Sequence, residues 1–237
     1  MKKSDLQNVL EFCEKEKLYL GEGTPTPTAK ILFIGKESGW NEKRWGEATP
    51  EKIPIVSDEN ASHNLDCWRN HNGNLEQLKC DARKEWPNSP TWRSYETLTK
   101  IITGQDIAKY DFLDYSFITE LSQICMPKSN HLKDNNLTKE SVEKRKKLFK
   151  ESFFQKFPVI IMACGHYPRD FDFDMEDIFD VKWDGETKVL SEGNYYNVHH
   201  GKDKILIHTR QVSMGVTNLL LSEIANLCKP IYEKENL

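Results

Sequence analysis

Four short apolar runs, interleaved with segments of helical periodicity, constrain the fold of this 237-residue chain more than any other feature. The runs are ILFIG at residues 31–35, YSFITELSQI at 115–124, VIIMACG at 159–165 and KILIH at 204–208. Short runs rich in β-branched residues are typical of buried strands. Apolar residues recur at helical spacing over residues 89–104, 138–157 and 213–228. This alternation predicts an α/β fold, a three-layer αβα sandwich around a mostly parallel sheet of four strands.

The polar residues that follow these strands are the first candidates for a functional site. In an open parallel sheet, the carboxyl ends of the strands line the crevice in which ligands bind. The segments at these ends are residues 35–40, 120–127, 164–168 and 208–213. We therefore expect them to meet at one edge of the sheet.

Composition limits the classes of function. A net charge of −4 gives no general attraction to nucleic acid, so binding of DNA would need a local patch. Six cysteines without a CxxC pair favour reduced thiols in the cytoplasm over a disulfide framework. No apolar run reaches the roughly 18 residues of a membrane span. Glutamates interrupt the N-terminal segment, which we interpret as an amphipathic helix rather than a signal peptide. The length favours one domain over residues 1–237.

Residues 41–90 are polar, rich in Asn and Trp and weakly periodic, so we expect a long, loop-rich excursion with room for one short helix. His63, Cys67, His71 and Cys80 lie in this segment and are residue types that bind zinc. The stretch NHNGN disfavours the helix that would align the first three. We interpret these residues as parts of a polar loop, and we predict neither a metal nor another cofactor.

Two side chains at the predicted strand ends are suited to catalysis. Glu37, in GKESGW, offers a carboxylate that orients water or stabilises positive charge. His208 ends a strand just before a helix, and a helix N-terminus lowers the pKa of an imidazole, so a neutral ring there donates a hydrogen bond to a developing anion. Structural roles are the alternatives: a tight turn at residues 35–39 and a backbone-bonded histidine at 208. Arg210 is either a surface cation or a phosphate ligand, and Ser213 is more typical of a helix cap than of a catalyst.

Taken together, the strand ends resemble those of the uracil-DNA glycosylase superfamily. ILFIGKESGW is similar to a first motif of the form Gly-x-x-Pro-Gly or Gly-Gln-Asp-Pro-Tyr, which closes a strand. ILIHTRQVSMG is similar to a last motif of the form His-Pro-Ser-Pro-Leu-Ser, which joins a strand to the final helix. FITELSQICMP and FKESFFQKFPVIIMACG match two intermediate segments in the same order. The resemblance spans residues 29–228 and depends on order and spacing more than on identity.

Several positions depart from the family pattern. Ser38 stands where the first motif has Pro, and Val212 stands where a Leu wedges into the duplex. Glu120 stands where many members place the Asn that reads a uracil edge. An ionised carboxylate accepts hydrogen bonds but donates none, so Glu120 would not pair with uracil in the same way.

The resemblance implies hydrolysis of the N-glycosidic bond of a base that is flipped out of the stack, in DNA or in a nucleotide. His208 would stabilise the departing base anion, and Glu37 would orient water or stabilise the positively charged sugar. The other residues that the resemblance places at the ligand are Gly35, Lys36, Ser38, Gly39, Trp40, Phe117, Glu120, Gly165, Tyr167, Arg210, Gln211 and Ser213.

These ligand-binding residues divide into two groups by role. Backbone amides of residues 35–39, with Arg210 and Ser213, would hold flanking phosphates. Trp40, Phe117 or Tyr167 would stack on the flipped base.

Two other functions are compatible with the sequence. The first is a non-catalytic member of the same fold that binds a nucleotide or a protein, which the altered motif positions and the negative net charge favour. The second is an unrelated αβα hydrolase or transferase, although the chain has neither a P-loop nor a Gly-x-Ser-x-Gly elbow.

Overall fold

The computed structural model describes residues 4–85, 88–127 and 136–234, and these form both strands and helices. The strands are β1 Glu22–Gly23, β2 Ile31–Gly39, β3 Ser116–Met126, β4 Val159–Met162, β5 Lys182–Ser191, β6 Asn194–His200 and β7 Ile205–Thr209. The helices are α1 Asp5–Glu16, α2 Glu42–Trp45, α3 Lys52–His71, α4 Leu75–Glu85, α5 Pro90–Thr103, α6 Asn136–Phe149, α7 Ser152–Gln155, α8 Tyr167–Asp170, α9 Met175–Phe179 and α10 Asn218–Lys234, with a 3-10 helix at Asp111–Asp114. None of the described helices is long and apolar enough to cross a membrane.

The fold is α/β, as the sequence predicts, but within the described residues the sheet has seven strands rather than four and is mixed rather than mostly parallel. The strand order is β1-β3-β2-β4-β7-β6-β5. The four predicted strands are β2, β3, β4 and β7, which are neighbours and parallel to one another. The three additional strands pair antiparallel at the two sides. Two of them contain no apolar run that the sequence could reveal. β1 has only two residues, and β5 is exposed along nearly its whole length.

Alternate residues of the parallel strands pack against helices on opposite faces of the sheet. Leu32 and Ile34 belong to a cluster that includes side chains of α1, α3, α6, α7 and α9. Phe33 and Ile161 belong to a second cluster that includes side chains of α5 and α10. A strand that is buried on both faces has to be apolar at every position, which explains the runs in the sequence.

The prediction of a loop-rich excursion at residues 41–90 is wrong. The segment is mainly helical, with the short α2, the 20-residue α3 and the 11-residue α4. The inner face of α3 includes Ile53, Leu65 and Trp68, but it also includes the buried polar residues Ser57 and Asn64. These polar residues interrupt the apolar stripe, which is why the helical period is weak in the sequence.

The buried polar residues of α3 form hydrogen bonds with backbone groups of the segment before β1 and of β3. Asn64 Oδ1 accepts a hydrogen bond from the Leu20 N–H at 3.0 Å, and its Nδ2 donates to the Gly21 carbonyl at 2.9 Å. Ser57 Oγ accepts from the Cys125 N–H at 2.9 Å. The helix is therefore held to the sheet by polar as well as apolar contacts.

Two predicted helices have different limits in the structure. The helix expected over residues 138–157 is two helices, α6 and α7, separated by a turn at Lys150 and Glu151. The helix expected over residues 213–228 begins at Asn218 and continues past Pro230. Thr217 Oγ1 accepts a hydrogen bond from the Leu220 N–H at 3.2 Å, so Thr217 caps this helix and Ser213 does not.

We expect Asn64→Ala to lower the free energy of unfolding by about 2–3 kcal/mol, because it leaves buried amide groups of residues 20 and 21 without an acceptor. Urea denaturation would measure the change. The matched control is Asn70→Ala, an exposed position on the same helix, which should change stability by no more than about 0.5 kcal/mol. Equal effects of the two substitutions would contradict this role of Asn64.

Candidate functional site

The carboxyl ends of the four parallel strands bring distant parts of the chain together. Gly35 of β2 is in register with Glu120 of β3, and Met162 of β4 is in register with His208 of β7. The Ala163 N–H donates to the Ile34 carbonyl at 2.8 Å, and the Gly165 N–H donates to the Thr209 carbonyl at 3.0 Å. The strand ends therefore form one continuous edge, which we call the strand-end edge.

Glu37 lies on this edge and accepts a hydrogen bond from the Tyr167 hydroxyl group. The Lys36 ammonium group lies 4.5 Å from the centre of the Tyr167 ring. Burial lowers the pKa of Lys36, an effect that the nearby Glu37 carboxylate opposes. Burial and the neighbouring Glu37 carboxylate raise the pKa of Tyr167, so its hydroxyl group keeps its proton and remains a donor. The geometry fixes the orientation of the Glu37 carboxylate from one side.

Glu120 is the second carboxyl group of the edge. A Cβ atom on Gly35 would overlap its Oε2, so the carboxyl group lies directly over the glycine backbone. Burial is the largest effect on the pKa of Glu120, and the negative charge of Glu37 is the second. Together they raise this pKa to about 8, although the positive charge of Arg145 lowers it. The carboxyl group is therefore predominantly protonated at neutral pH.

Further titratable groups interact electrostatically with Glu120 from the elements around it. They are Tyr19, Glu22, Tyr95, Cys125 and Cys164. None of these groups is a cation, and Arg145 is the nearby positive charge that stabilises the ionised form.

His208 has both ring nitrogens engaged by the protein. Its Nε2 lies 2.7 Å from the Gly165 carbonyl oxygen, and its Nδ1 lies 3.2 Å from Asn197 Nδ2. A carbonyl accepts only, so Nε2 carries the proton and Nδ1 accepts from the amide of Asn197. Burial lowers the pKa of His208, which keeps the ring neutral. The predicted neutral imidazole is present, but its N–H donates to Gly165.

The loop after β7 is fixed by Arg210. Its guanidinium group donates to the carbonyl groups of Gly193 at 3.1 Å, Met214 at 2.8 Å and Gly215 at 3.2 Å. These contacts tie the loop to the turn between β5 and β6. Arg210 therefore has a structural role in this loop, and phosphate binding by it stays a prediction.

Other predicted residues divide between the edge and the interior. Gly165 has a φ of +59°, and a Cβ there would lie 3.7 Å from Lys36 Cε and 3.8 Å from the Gln211 nitrogen, which places these three residues side by side. Trp40 is partly exposed, and its Nε1 donates to the Gly46 carbonyl at 2.8 Å. Ser38 and Ser213 are partly exposed, and Gly39 is exposed.

Phe117 does not reach the site. It lies near the amino end of β3, is fully buried and packs in a cluster with Trp68, Phe153 and Phe157. The stacking role expected for Phe117 is therefore wrong. Val212 is also fully buried, and its carbonyl accepts a hydrogen bond from Ser94 at 2.8 Å, so it is not placed to enter a duplex.

Sequence reasoning missed three residues that shape the edge. Asn197 holds His208 but lies on β6, a strand whose polar side chains hide its pattern. Tyr95 of α5 stacks on Phe33 at a ring separation of 4.2 Å, below the Gly35 and Glu120 pair. Trp45 of α2 lies 5.3 Å from Trp40 and extends the aromatic surface beside the edge.

The zinc-type residues of the 41–90 segment do not assemble into a site within the described part of the chain. His63 Nε2 lies 3.8 Å from Cys67 Sγ, Cys80 is exposed on α4, and the side chain of His71 lies outside the described residues. No group of three or more His, Cys, Asp or Glu side chains among the described residues could hold a metal ion.

An open, acidic cavity of about 570 Å³ lies at the opposite edge of the sheet. It is bordered by residues at the start of β5 and in the β6–β7 turn, with Asp174, Glu176, Asp177 and Asp180. The carboxylates of α9 are partly used locally, because Asp174 caps the helix and Glu176 bonds the Trp183 N–H at 2.7 Å. Because the β6–β7 turn lies at the amino end of β7, this cavity is separate from the strand-end edge.

Comparison with known proteins adds no assignment. Neither the models of known protein families nor the curated proteins gave a match to this chain.

We expect Gly35→Ala to displace the Glu120 carboxyl group, because the added methyl group would occupy its place. The matched control is Gly39→Ala, where a Cβ meets nothing within 4 Å. Carboxyl ¹³C NMR of glutamate-labelled protein should show a changed Glu120 signal in the first variant only. An unchanged Glu120 signal in a folded Gly35→Ala protein would contradict the contact.

Glu120 should make stability depend on pH. Its pKa is about 8 in the folded protein and 4.5 in an unfolded chain, so between these values the folded state binds more protons. The free energy of unfolding therefore falls as pH rises through this window. Glu120→Gln removes this contribution and should become more stable relative to the wild type at pH 8 than at pH 5. Urea denaturation at several pH values would measure the difference, with Glu140→Gln, exposed on α6, as control. A difference that is constant with pH would exclude the raised pKa.

Proposed function

We propose that this protein is a glycosylase-like hydrolase that cleaves the N-glycosidic bond of a flipped-out base in DNA or in a nucleotide. The finer fold assignment, a three-layer sandwich of the uracil-DNA glycosylase type, belongs to the same proposal. The observation that carries it is the strand-end edge, where Glu37 is oriented by Tyr167 beside Gly35, Gly165 and His208.

The chemistry of such a bond suits the position of Glu37. Positive charge develops on the sugar as the bond to the base stretches. A carboxylate whose direction is fixed by a hydrogen bond stabilises this charge, and it also accepts a proton from the attacking water molecule. Tyr167 supplies that fixed direction, since its ring is buried and its hydroxyl group donates to Glu37.

The flat surfaces near the edge suit a nucleobase. The ring centres of Trp40 and Trp45 lie 5.3 Å apart. The guanidinium carbon of Arg44 lies 5.6 Å from the centre of the Trp45 ring. Aromatic rings with a neighbouring arginine are common surfaces for single-stranded nucleic acid. Phosphate contacts would come from backbone amides around Ser38 and Gly39, because the ammonium group of Lys36 is buried against Tyr167.

The absence of disulfide bonds among the six cysteines supports a location in the cytoplasm, which we include in the proposal. Base excision from cellular nucleic acid is compatible with that location.

A non-catalytic role in nucleotide binding is the second candidate, and His208 favours it. The only N–H of the neutral ring donates to Gly165, so a departing base would have to displace this contact. The burial of Val212 also favours a non-catalytic role, because this side chain is not exposed for insertion into a duplex.

Release of bases from a panel of oligonucleotides with modified and deaminated bases tests the proposal. We expect release by the wild type and a loss of about 10²- to 10⁴-fold in kcat for Glu37→Gln, because the amide cannot accept the proton of water. Glu59→Gln, exposed on α3, is the control and should keep full activity. Binding of oligonucleotide without release of any base would favour the non-catalytic role.

A further inference from the structure

We propose that Glu120 is the proton donor to the leaving base, so that the site acts on a base that departs as a neutral molecule after protonation of a ring nitrogen, as purines do. The inference rests on the proposed function and names its substrate class. It gives the two carboxyl groups of the strand-end edge opposite roles.

The register of the sheet places Glu37 and Glu120 close together on neighbouring strands. Gly35 pairs with Glu120, and Glu37 pairs with Ser122, two residues further along both strands. Side chains two residues apart on a strand point to the same face, so Glu37 and Glu120 lie diagonally on neighbouring strands. Gly35 lies between them without a side chain, and the Glu120 carboxyl group fills that space.

The surroundings of Glu120 favour its protonated form. The ring of Tyr95, which stacks on Phe33 two residues before Gly35, interacts electrostatically with Glu120. The groups that interact with it electrostatically are Glu22, Glu37, Arg145, Tyr19, Tyr95, Cys125 and Cys164. Burial and the like charges outweigh Arg145 and raise the pKa of Glu120 to about 8. A carboxyl group with a raised pKa beside a second carboxyl group suits a pair in which one acts as acid and the other as base.

The other candidate donor of the edge is already engaged. The His208 N–H donates to the Gly165 carbonyl at 2.7 Å. Glu120 is in register with Gly35, two residues before Glu37 on the neighbouring strand, and as a residue it is not completely buried. Because the His208 N–H is already used by the protein, we assign proton donation to Glu120.

The step balances within these groups. The carboxyl proton of Glu120 moves to a ring nitrogen of the base, and the electron pair of the N-glycosidic bond goes to the base. Water attacks the sugar carbon and passes its proton to Glu37. The products are a neutral base and a sugar hydroxyl group, with Glu120 ionised and Glu37 protonated until solvent restores both.

This assignment distinguishes purines from uracil. A purine leaves readily only when a ring nitrogen is protonated, whereas uracil leaves as an anion and needs a hydrogen bond donor to its oxygen. A protonated carboxyl group serves the first kind of departure directly. A purine that already carries a methyl group at N7 is positively charged and needs no proton.

The experiment compares guanine and 7-methylguanine at one position of the same oligonucleotide, with wild type, Glu120→Gln and Glu37→Gln. For Glu120→Gln we expect a loss of about 10²- to 10⁴-fold in kcat on guanine and less than tenfold on 7-methylguanine. Glu37→Gln should lose activity on both bases to a similar extent. Glutamine at position 120 keeps the size and a hydrogen bond donor but carries no transferable proton.

A measurement on the unsubstituted protein accompanies the kinetics. Carboxyl ¹³C NMR, with the Glu120 signal assigned from Glu120→Gln, should show a titration midpoint above pH 7. The wild-type rate on guanine should fall above that midpoint. An ionised Glu120 at neutral pH overturns the proposal whatever the activity of the variants.

The outcomes separate the two proposals. Equal losses of Glu120→Gln on both bases, or release of uracil without release of any purine, would overturn proton donation by Glu120 and leave the glycosylase proposal standing. If the wild type releases neither guanine, 7-methylguanine nor any base of the panel, the glycosylase proposal falls and this one falls with it.

Discussion

The parallel hydrogen-bonded ladder of β3, β2, β4 and β7 determines every other feature of the site. It aligns Gly35 with Glu120 and Met162 with His208, so residues from distant parts of the chain meet at one edge. A shift of one residue in any of these pairings would turn each side chain to the other face of the sheet. Both faces are covered by helices, and the two apolar clusters hold the register in place.

Buried polar groups support this ladder from one side. Arg145 of α6 is fully buried, donates to the Tyr19 carbonyl at 2.6 Å and to Thr119 Oγ1 at 2.5 Å, and lies 5.2 Å from the Phe149 ring. Burial lowers the pKa of Arg145 to about 10, which still leaves it charged at neutral pH. With Asn64 of α3, it fixes the segment before β1 against β3. The same positive charge limits how far the pKa of Glu120 rises, so the support of the sheet and the chemistry of the edge are connected.

The sequence predicts the centre of the sheet and not its margins, for a physical reason. Residues 31–35 of β2 and the whole of β4 are buried and apolar, so they are recognisable without knowledge of their neighbours. β5 is exposed, has charged side chains at every second position of residues 182–188 and has an irregular register near Gly185. These features protect an edge strand from pairing with another chain. They also make the sequence of the strand resemble that of a loop. Helix α3 is hidden because Ser57 and Asn64 occupy its inner face.

The same limit applies to the site. The strand ends identify which residues meet, because that follows from parallel order alone, and Glu37, Glu120, Gly165 and His208 do share one edge. What each of them can donate depends on partners from elements that the sequence does not reveal. Asn197 reaches His208 from β6, and the side chain of Phe117 is drawn into the aromatic cluster by helix α7.

The two carboxyl groups show how these partners decide chemistry. Glu37 accepts a hydrogen bond from Tyr167, and its neighbour Lys36 lies over the ring of the same Tyr167. Glu120, on the next strand, is affected by burial and by the negative charge of Glu37, and both raise its pKa. Identical side chains thus have contrasting surroundings, and the proposal of an acid and a base at this edge depends on that contrast. Because the charge of Glu37 itself raises the pKa of Glu120, loss of that charge would make Glu120 a stronger acid, so the two roles depend on each other.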